Sequence, residues 1–127
     1  MDPISDMLIR IKNAQTAGHE TVLVPYSRLK QEIAKALERA GFIIKTDRKG
    51  KRVKKTLEVV LRGGKDAPAI HGVKLLSTPG LRRYSSYREL RYAPRGGVYI
   101  LTTPKGVLTG AEARKEKVGG ELIAEIW

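Results

Sequence analysis

The apolar residues of this 127-residue chain change period partway along it, and that change limits the possible folds more than any other feature. Ile4, Met7, Leu8, Ile11 and Ala14 recur at helical spacing and form one stripe. Asp2 reads as an N-cap, Pro3 as the first helical residue and Gly18 as a stop. Thr21-Val22-Leu23-Val24 reads as a short strand ended by Pro25. A second helix starts near Ser27, with Leu29, Ile33, Ala36, Leu37 and Ala40 on one face. Gly41 followed by Phe42 has the form of a left-handed stop with its hydrophobic contact. Strand periodicity then takes over. Phe42-Ile43-Ile44 opens one strand, and in the next Leu57, Val59 and Leu61 alternate with Glu58, Val60 and Arg62. The hairpin they predict has a basic tip around Gly50, carrying Lys45, Arg48, Lys49, Lys51, Arg52, Lys54 and Lys55.

Gly63-Gly64-Lys65-Asp66-Ala67-Pro68 is the linker candidate, which divides the chain into lobes at residues 1–66 and 67–127. Beyond it the pattern is mostly strand. Ile70 to Leu76 alternates weakly, Arg82 to Ser85 is short and basic, and Gly97 to Thr103 is almost continuously apolar, as a doubly covered strand would be. Thr109-Gly110-Ala111-Glu112 has the spacing of a capping box and opens a short helix, which Gly119-Gly120 ends. Leu122, Ala124 and Ile126 alternate in a final strand. The predicted fold class is α+β, with a helix-strand-helix-hairpin lobe followed by a mostly-β lobe with one short helix.

A hydrophobic fraction of 41% is enough for a real core, and the absence of cysteine excludes disulfides, thiolate metal sites and cysteine nucleophiles. No apolar run approaches the roughly 18 residues of a membrane helix. The acidic start, Met1-Asp2-Pro3-Ile4-Ser5-Asp6, is unlike a signal peptide, so a cytoplasmic location without a membrane partner is expected. Lys and Arg number 25 against 13 Asp and Glu, a net charge of +12. Solubility does not require such asymmetry, and a polyanionic partner explains it.

Catalysis finds little support. His19 and His71 have no carboxylate or nucleophile partner in a motif, and two histidines without cysteine make a poor zinc site. Gly63-Gly64-Lys65 lacks the spacing, hydroxyl and following helix of a phosphate loop. No cofactor is expected. Nucleic-acid binding does better. Arg82, Arg83, Arg88, Arg91 and Arg95 interleave with Tyr84, Tyr87 and Tyr92; arginine forks onto phosphate, and tyrosine stacks on an unpaired base or bonds a ribose hydroxyl. Thr102-Thr103-Pro104-Lys105-Gly106 puts small hydroxyls, a cation and a glycine where a buried strand emerges before a capped helix. The basic hairpin tip can reach phosphates but reads no sequence.

Four motifs, in order, resemble those of one family, the eighth protein of the bacterial small ribosomal subunit. Asp2-Pro3-Ile4-Ser5-Asp6-Met7-Leu8 with Arg10-Ile11-Lys12-Asn13 resembles its opening helix. Leu76-Ser77-Thr78-Pro79-Gly80-Leu81-Arg82-Arg83-Tyr84 resembles its Ser-x-Pro-Gly-Leu-Arg-x-Tyr signature. Lys105-Gly106-Val107-Leu108-Thr109 with Ala113-Arg114-Lys115, then Gly119-Gly120-Glu121, follow as they do there. The resemblance implies direct binding to an irregular helix in the central domain of small-subunit ribosomal RNA, mainly through the C-terminal lobe, in support of subunit assembly. It further implies neighbouring small-subunit proteins and, as in many bacterial members, repression of the chain's own operon through its messenger.

Carried onto this chain, the resemblance puts Tyr84, Thr102, Thr103, Lys105, Gly106, Gly120 and Glu121 at or beside the RNA, with Arg82 and Arg83 from the basic cluster. Glu121 repels phosphate but can accept from a base amino group or ribose hydroxyl, or orient a neighbour. The family's loop reads Ser-Thr-Ser-Lys-Gly; here Thr102 keeps the first hydroxyl, while Pro104 has neither hydroxyl nor N–H. The Gly-x-Gly before the buried strand is compressed to Gly96-Gly97. Two rivals stand beside this expectation. A general nucleic-acid protein that uses charge alone would need no ordered hydroxyl loop and would tolerate DNA. An RNA-processing enzyme would need an acid–base pair or metal cluster, which Glu112, Glu116, Glu121 and Glu125 do not form by spacing.

Overall fold

The computed structural model describes residues 2–50, 54–62 and 70–127. The chain falls into two compact units, the first running from Pro3 to Ile70 and the second from His71 to Trp127. The expected boundary and linker lie outside the described residues, as do Lys51 and Arg52 of the hairpin tip.

The first unit contains α1 (Pro3–Thr16), β1 (Thr21–Pro25), α2 (Arg28–Arg39), β2 (Ile43–Lys49) and β3 (Thr56–Leu61). Its strands make an antiparallel three-stranded sheet in the order β1-β3-β2. β3 is the middle strand, and its period-two pattern works as expected: Leu57, Val59 and Leu61 are buried. Full burial of each such side chain contributes about 1.5–3 kcal/mol. The strand β1 runs one residue further than expected and includes Pro25, which an edge strand tolerates because one side of its backbone has no ladder.

Both helices are rotated slightly from the expected stripes. Ser5, Met7, Leu8, Ile11 and Ala14 are the buried face of α1, with Ile4 only half-buried. In α2 the buried residues are Lys30, Ile33, Ala34, Ala36 and Leu37, whereas Leu29 is exposed and Ala40 half-buried. Residues 30, 33, 34 and 37 follow the i, i+3, i+4, i+7 rule, so the stripe passes through a lysine that hydropathy alone assigns to the outside. The Ser27 side chain accepts from the Lys30 N–H at 3.1 Å and caps the helix. At the other end Gly41, with φ +88°, lets its N–H reach the Glu38 carbonyl and the Phe42 N–H reach that of Leu37. This is the expected left-handed stop. β2 begins at Ile43, and a register shift between Ile43 and Lys45 leaves Ile44 exposed.

The second unit contains β4 (Val73–Leu75), β5 (Tyr84–Ser85), β6 (Val98–Thr103), β7 (Gly106–Thr109), α3 (Gly110–Glu116) and β8 (Gly120–Ile126). Its antiparallel sheet has the order β4-β8-β6-β7, with β5 also paired to β8. The strands expected over Ile70–Leu76 and Arg82–Ser85 shrink to β4 and β5. A strand not foreseen, β7, takes the place of the loop expected before the capped helix. Ile100 and Leu101 of β6 are both buried, yet Thr102 is exposed, so the strand is not covered throughout as its apolar run suggested. A register shift against β8 falls between Ile100 and Leu101, where Ala124 and then Leu122 are the partners. The capping box is present: the Thr109 N–H donates to Glu112 Oε1 at 2.9 Å, and the Thr109 Oγ accepts from the Glu112 N–H at 3.3 Å. Leu90, Leu101 and Ala113 form a buried cluster that joins α3 to the sheet.

Candidate nucleic-acid interface

β8 stands between β5 and β6 at its N-terminal end, and this placement gathers residues far apart in the chain. Tyr84 is opposite Glu121 on one side and Thr102 is opposite it on the other. Tyr84, Glu121 and Thr102 thus form a row across three strands, and directly opposed residues share a face. Tyr84 is 70% exposed, and Thr102 is also exposed. Arg82 joins the row from the side, its guanidinium donating to Glu121 Oε2 at 3.2 Å. The pair is solvent-accessible, so it contributes at most about 1 kcal/mol to folding. It fixes the carboxylate beside the tyrosine and leaves an arginine with further donors at the surface.

The narrowness of this region comes from glycine. A Cβ on Gly120 would collide with the Thr102 carbonyl oxygen, and one on Gly119 with that of Ser85. Only residues without side chains let β8 enter between its neighbours at this point.

Thr103, Lys105 and Gly106 sit one step further on, at the β6–β7 hairpin, where Thr103 is opposite Gly106. Thr103 is buried, and its hydroxyl is used inside the turn: it donates to the Gly106 carbonyl at 2.8 Å and accepts from the Lys105 N–H at 3.1 Å. Its geometry makes it an organiser of the loop. Lys105 is exposed and reaches Glu116 of α3 at 3.1 Å. Arg83 contributes through its backbone: its N–H donates to Ser77 Oγ at 2.9 Å, and its carbonyl accepts from the Leu122 N–H at 2.9 Å. Its side chain lies at the surface.

Two residues outside the expected set have positioning roles. Buried Ser77 ties the Ser77-Thr78-Pro79-Gly80 turn to Arg83, and its signal is a hydroxyl two residues before a Pro-Gly pair. Glu116 partners Lys105 across an 11-residue separation, for which the sequence offers no local signal.

The arginine–tyrosine cluster read from the sequence stays together only in part. Arg88 lies over Tyr87 at 5.7 Å, Arg95 lies over Trp127 at 4.4 Å while bonding buried Glu125 at 2.9 Å, and Tyr92 pairs with Arg114. The basic tip of the first unit is partly neutralised, Lys45 by Asp47 at 3.7 Å and Lys49 by Glu58 at 3.7 Å. Among the described residues there is no group of three or more metal-ligating side chains, and no helix is long and apolar enough to cross a membrane.

Fold and site together define a basic α+β protein whose candidate site is an open sheet face with a polar row. The Ribosomal protein S8 family matches residues 2–127, and the chain belongs to that family. It is therefore a structural constituent of the small ribosomal subunit, at work in the cytoplasm on the ribosome, and not an enzyme. Among its relatives, the small ribosomal subunit protein uS8 of Mycoplasma mobile is 46% identical over 127 residues, covering 99% of this chain and 96% of the relative. Proteins of the same name from Anaeromyxobacter sp. strain K and Persephonella marina are 49% and 43% identical, covering 99% of this chain and 97% and 98% of their own lengths.

Proposed function

We propose that the chain binds directly to an irregular helix in the central domain of small-subunit ribosomal RNA, and that this contact seeds assembly around it. The observation that carries the reading is the Tyr84–Glu121–Thr102 row with Arg82 at its side and the Lys105 loop at its end. An exposed ring, a fixed carboxylate and small hydroxyls suit the shallow groove of an RNA duplex, where ribose hydroxyls and base edges are displayed. Lys105 and Arg83 add phosphate contacts, and Gly106 and Gly120 let the backbone approach closely. The same face serves for repression if the chain's own messenger presents a similar helix, and the remaining surfaces serve neighbouring small-subunit proteins.

The test is a salt-titrated binding assay against a central-domain ribosomal RNA fragment, a random RNA duplex of equal length and duplex DNA. A preference of roughly a thousandfold or more for the fragment is the expected result. Equal affinities with a steep salt slope would leave a charge-only binder and sink the reading. Lys105→Ala should lower the salt slope by about 1 if its ammonium meets a phosphate.

A further inference from the structure

We propose that the second unit also holds a slot for one unpaired pyrimidine nucleotide of the bound RNA, separate from the Tyr84–Glu121–Thr102 row and resting on the RNA reading above. A cavity of about 160 Å3 is lined by Arg91 and Tyr92 of the loop before β6, by Tyr99 of β6, and by Gly110, Ala111 and Arg114 of α3. Tyr92 is 84% exposed, the most open of the large apolar or aromatic side chains among the described residues. Its ring is nevertheless held, with the Arg114 guanidinium 4.5 Å from its centroid and Arg114 Nη1 donating to the Arg91 carbonyl at 3.4 Å. An exposed ring adds little to folding, whereas a ring fixed in place is a ready stacking surface.

The chemistry of the lining selects the ligand. Aromatic walls and small residues at Gly110 and Ala111 suit a flat ring, and Arg91 and Arg114 beside them suit its phosphate. A cavity of about 150 Å3 holds a benzene-sized molecule, so the space takes a single-ring base more readily than a purine. The slot opens near Tyr99, which packs with Leu101 and Ala113 on the α3 side of the sheet, whereas Thr102, three positions along β6, points to the other face. The slot therefore takes an unpaired nucleotide from a segment of the RNA other than the helix on the row.

The experiment compares the full chain with Tyr92→Ala, Tyr92→Phe and Ala111→Leu, none of which changes charge, against short oligouridine, short oligoadenosine and the central-domain fragment. Tyr92 and Ala111 are both exposed, so these variants keep their fold. The expected result is a roughly tenfold loss of oligouridine affinity in Tyr92→Ala and Ala111→Leu, with Tyr92→Phe close to the parent, because stacking is removed, blocked and retained in turn. Oligoadenosine should bind more weakly and respond less. Oligouridine affinity that is undetectable, or equal in the parent and Tyr92→Ala, overturns the slot. A parent that shows no preference for the ribosomal fragment yet loses oligouridine on Tyr92→Ala keeps the slot and sinks the helix reading instead.

Discussion

The two units use charge and aromatic rings in opposite ways. In the first, the described ion pairs stay within a helix or a hairpin: Arg10 meets Asp6 at i,i+4, Lys35 meets Glu38 at i,i+3, and Lys49 meets Glu58 across β2 and β3. Its Tyr26 has Arg48 and Lys55 within 5.5 and 5.8 Å of the ring. In the second, pairs join distant parts of the chain, Arg82 to Glu121 and Arg95 to Glu125, while Tyr84 and Tyr92 stand largely in solvent. The first unit's described ion pairs answer to its own secondary structure. The second carries features that its folding does not need, and such departures are where a partner's demands show.

Substitutions can break that contrast. The largest expected effect is Leu57→Ala in the first unit, which should cost about 2–5 kcal/mol in a urea titration by opening a cavity. The fraction that remains folded should keep its affinity for the ribosomal fragment; a matching loss of affinity would mean the first unit is also part of the binding face. Gly120→Ala should cost about 1–3 kcal/mol by forcing β6 and β8 apart, and here affinity should fall with stability. Retained affinity would show that the row needs no fixed strand spacing. Thr109→Ala and Ser27→Ala each remove a cap worth about 1 kcal/mol. Only the first should affect binding, because Thr109 adjoins the Lys105 hairpin; equal binding by both would separate that hairpin from the site. The smallest stability effects belong to Arg82→Ala and Arg10→Ala, each within about 1 kcal/mol. A filter-binding comparison should find affinity reduced by Arg82→Ala alone, and identical curves would dissolve the distinction between the units.

What could be read in advance was local. The Gly41-Phe42 stop, the Thr109–Glu112 capping box and the alternation of Leu57, Val59 and Leu61 each depend on residues within a turn or a strand, and each appears as expected. Leu29 and Lys30 show the limit of hydropathy: the position a residue takes on a helix is set by what the helix packs against. The strand β7 was hidden because four residues, Gly106–Thr109, follow a Pro-Lys turn and look like its continuation. Resemblance named most of the candidate residues, but the row itself was invisible, since Tyr84 and Thr102 meet Glu121 only through the register of three strands. The arginine–tyrosine run looked like one patch because it is contiguous in sequence. In space Arg88 keeps to Tyr87, while Arg95 and Tyr92 turn to Trp127 and Arg114 outside the run.

The hairpin at Thr103–Gly106 carries a consequence for binding thermodynamics. Pro104 holds φ near −65°, the Thr103 hydroxyl latches both Lys105 and Gly106, and Gly106 completes the turn at φ 105°. A loop so constrained has few conformations left to lose. Whatever docks against it meets a shape already formed, and the entropy of ordering the loop drops out of the association free energy. A Pro104→Ser variant should therefore show in calorimetry a larger unfavourable entropy on binding the ribosomal fragment, and equal entropies would show that the loop's stiffness plays no part.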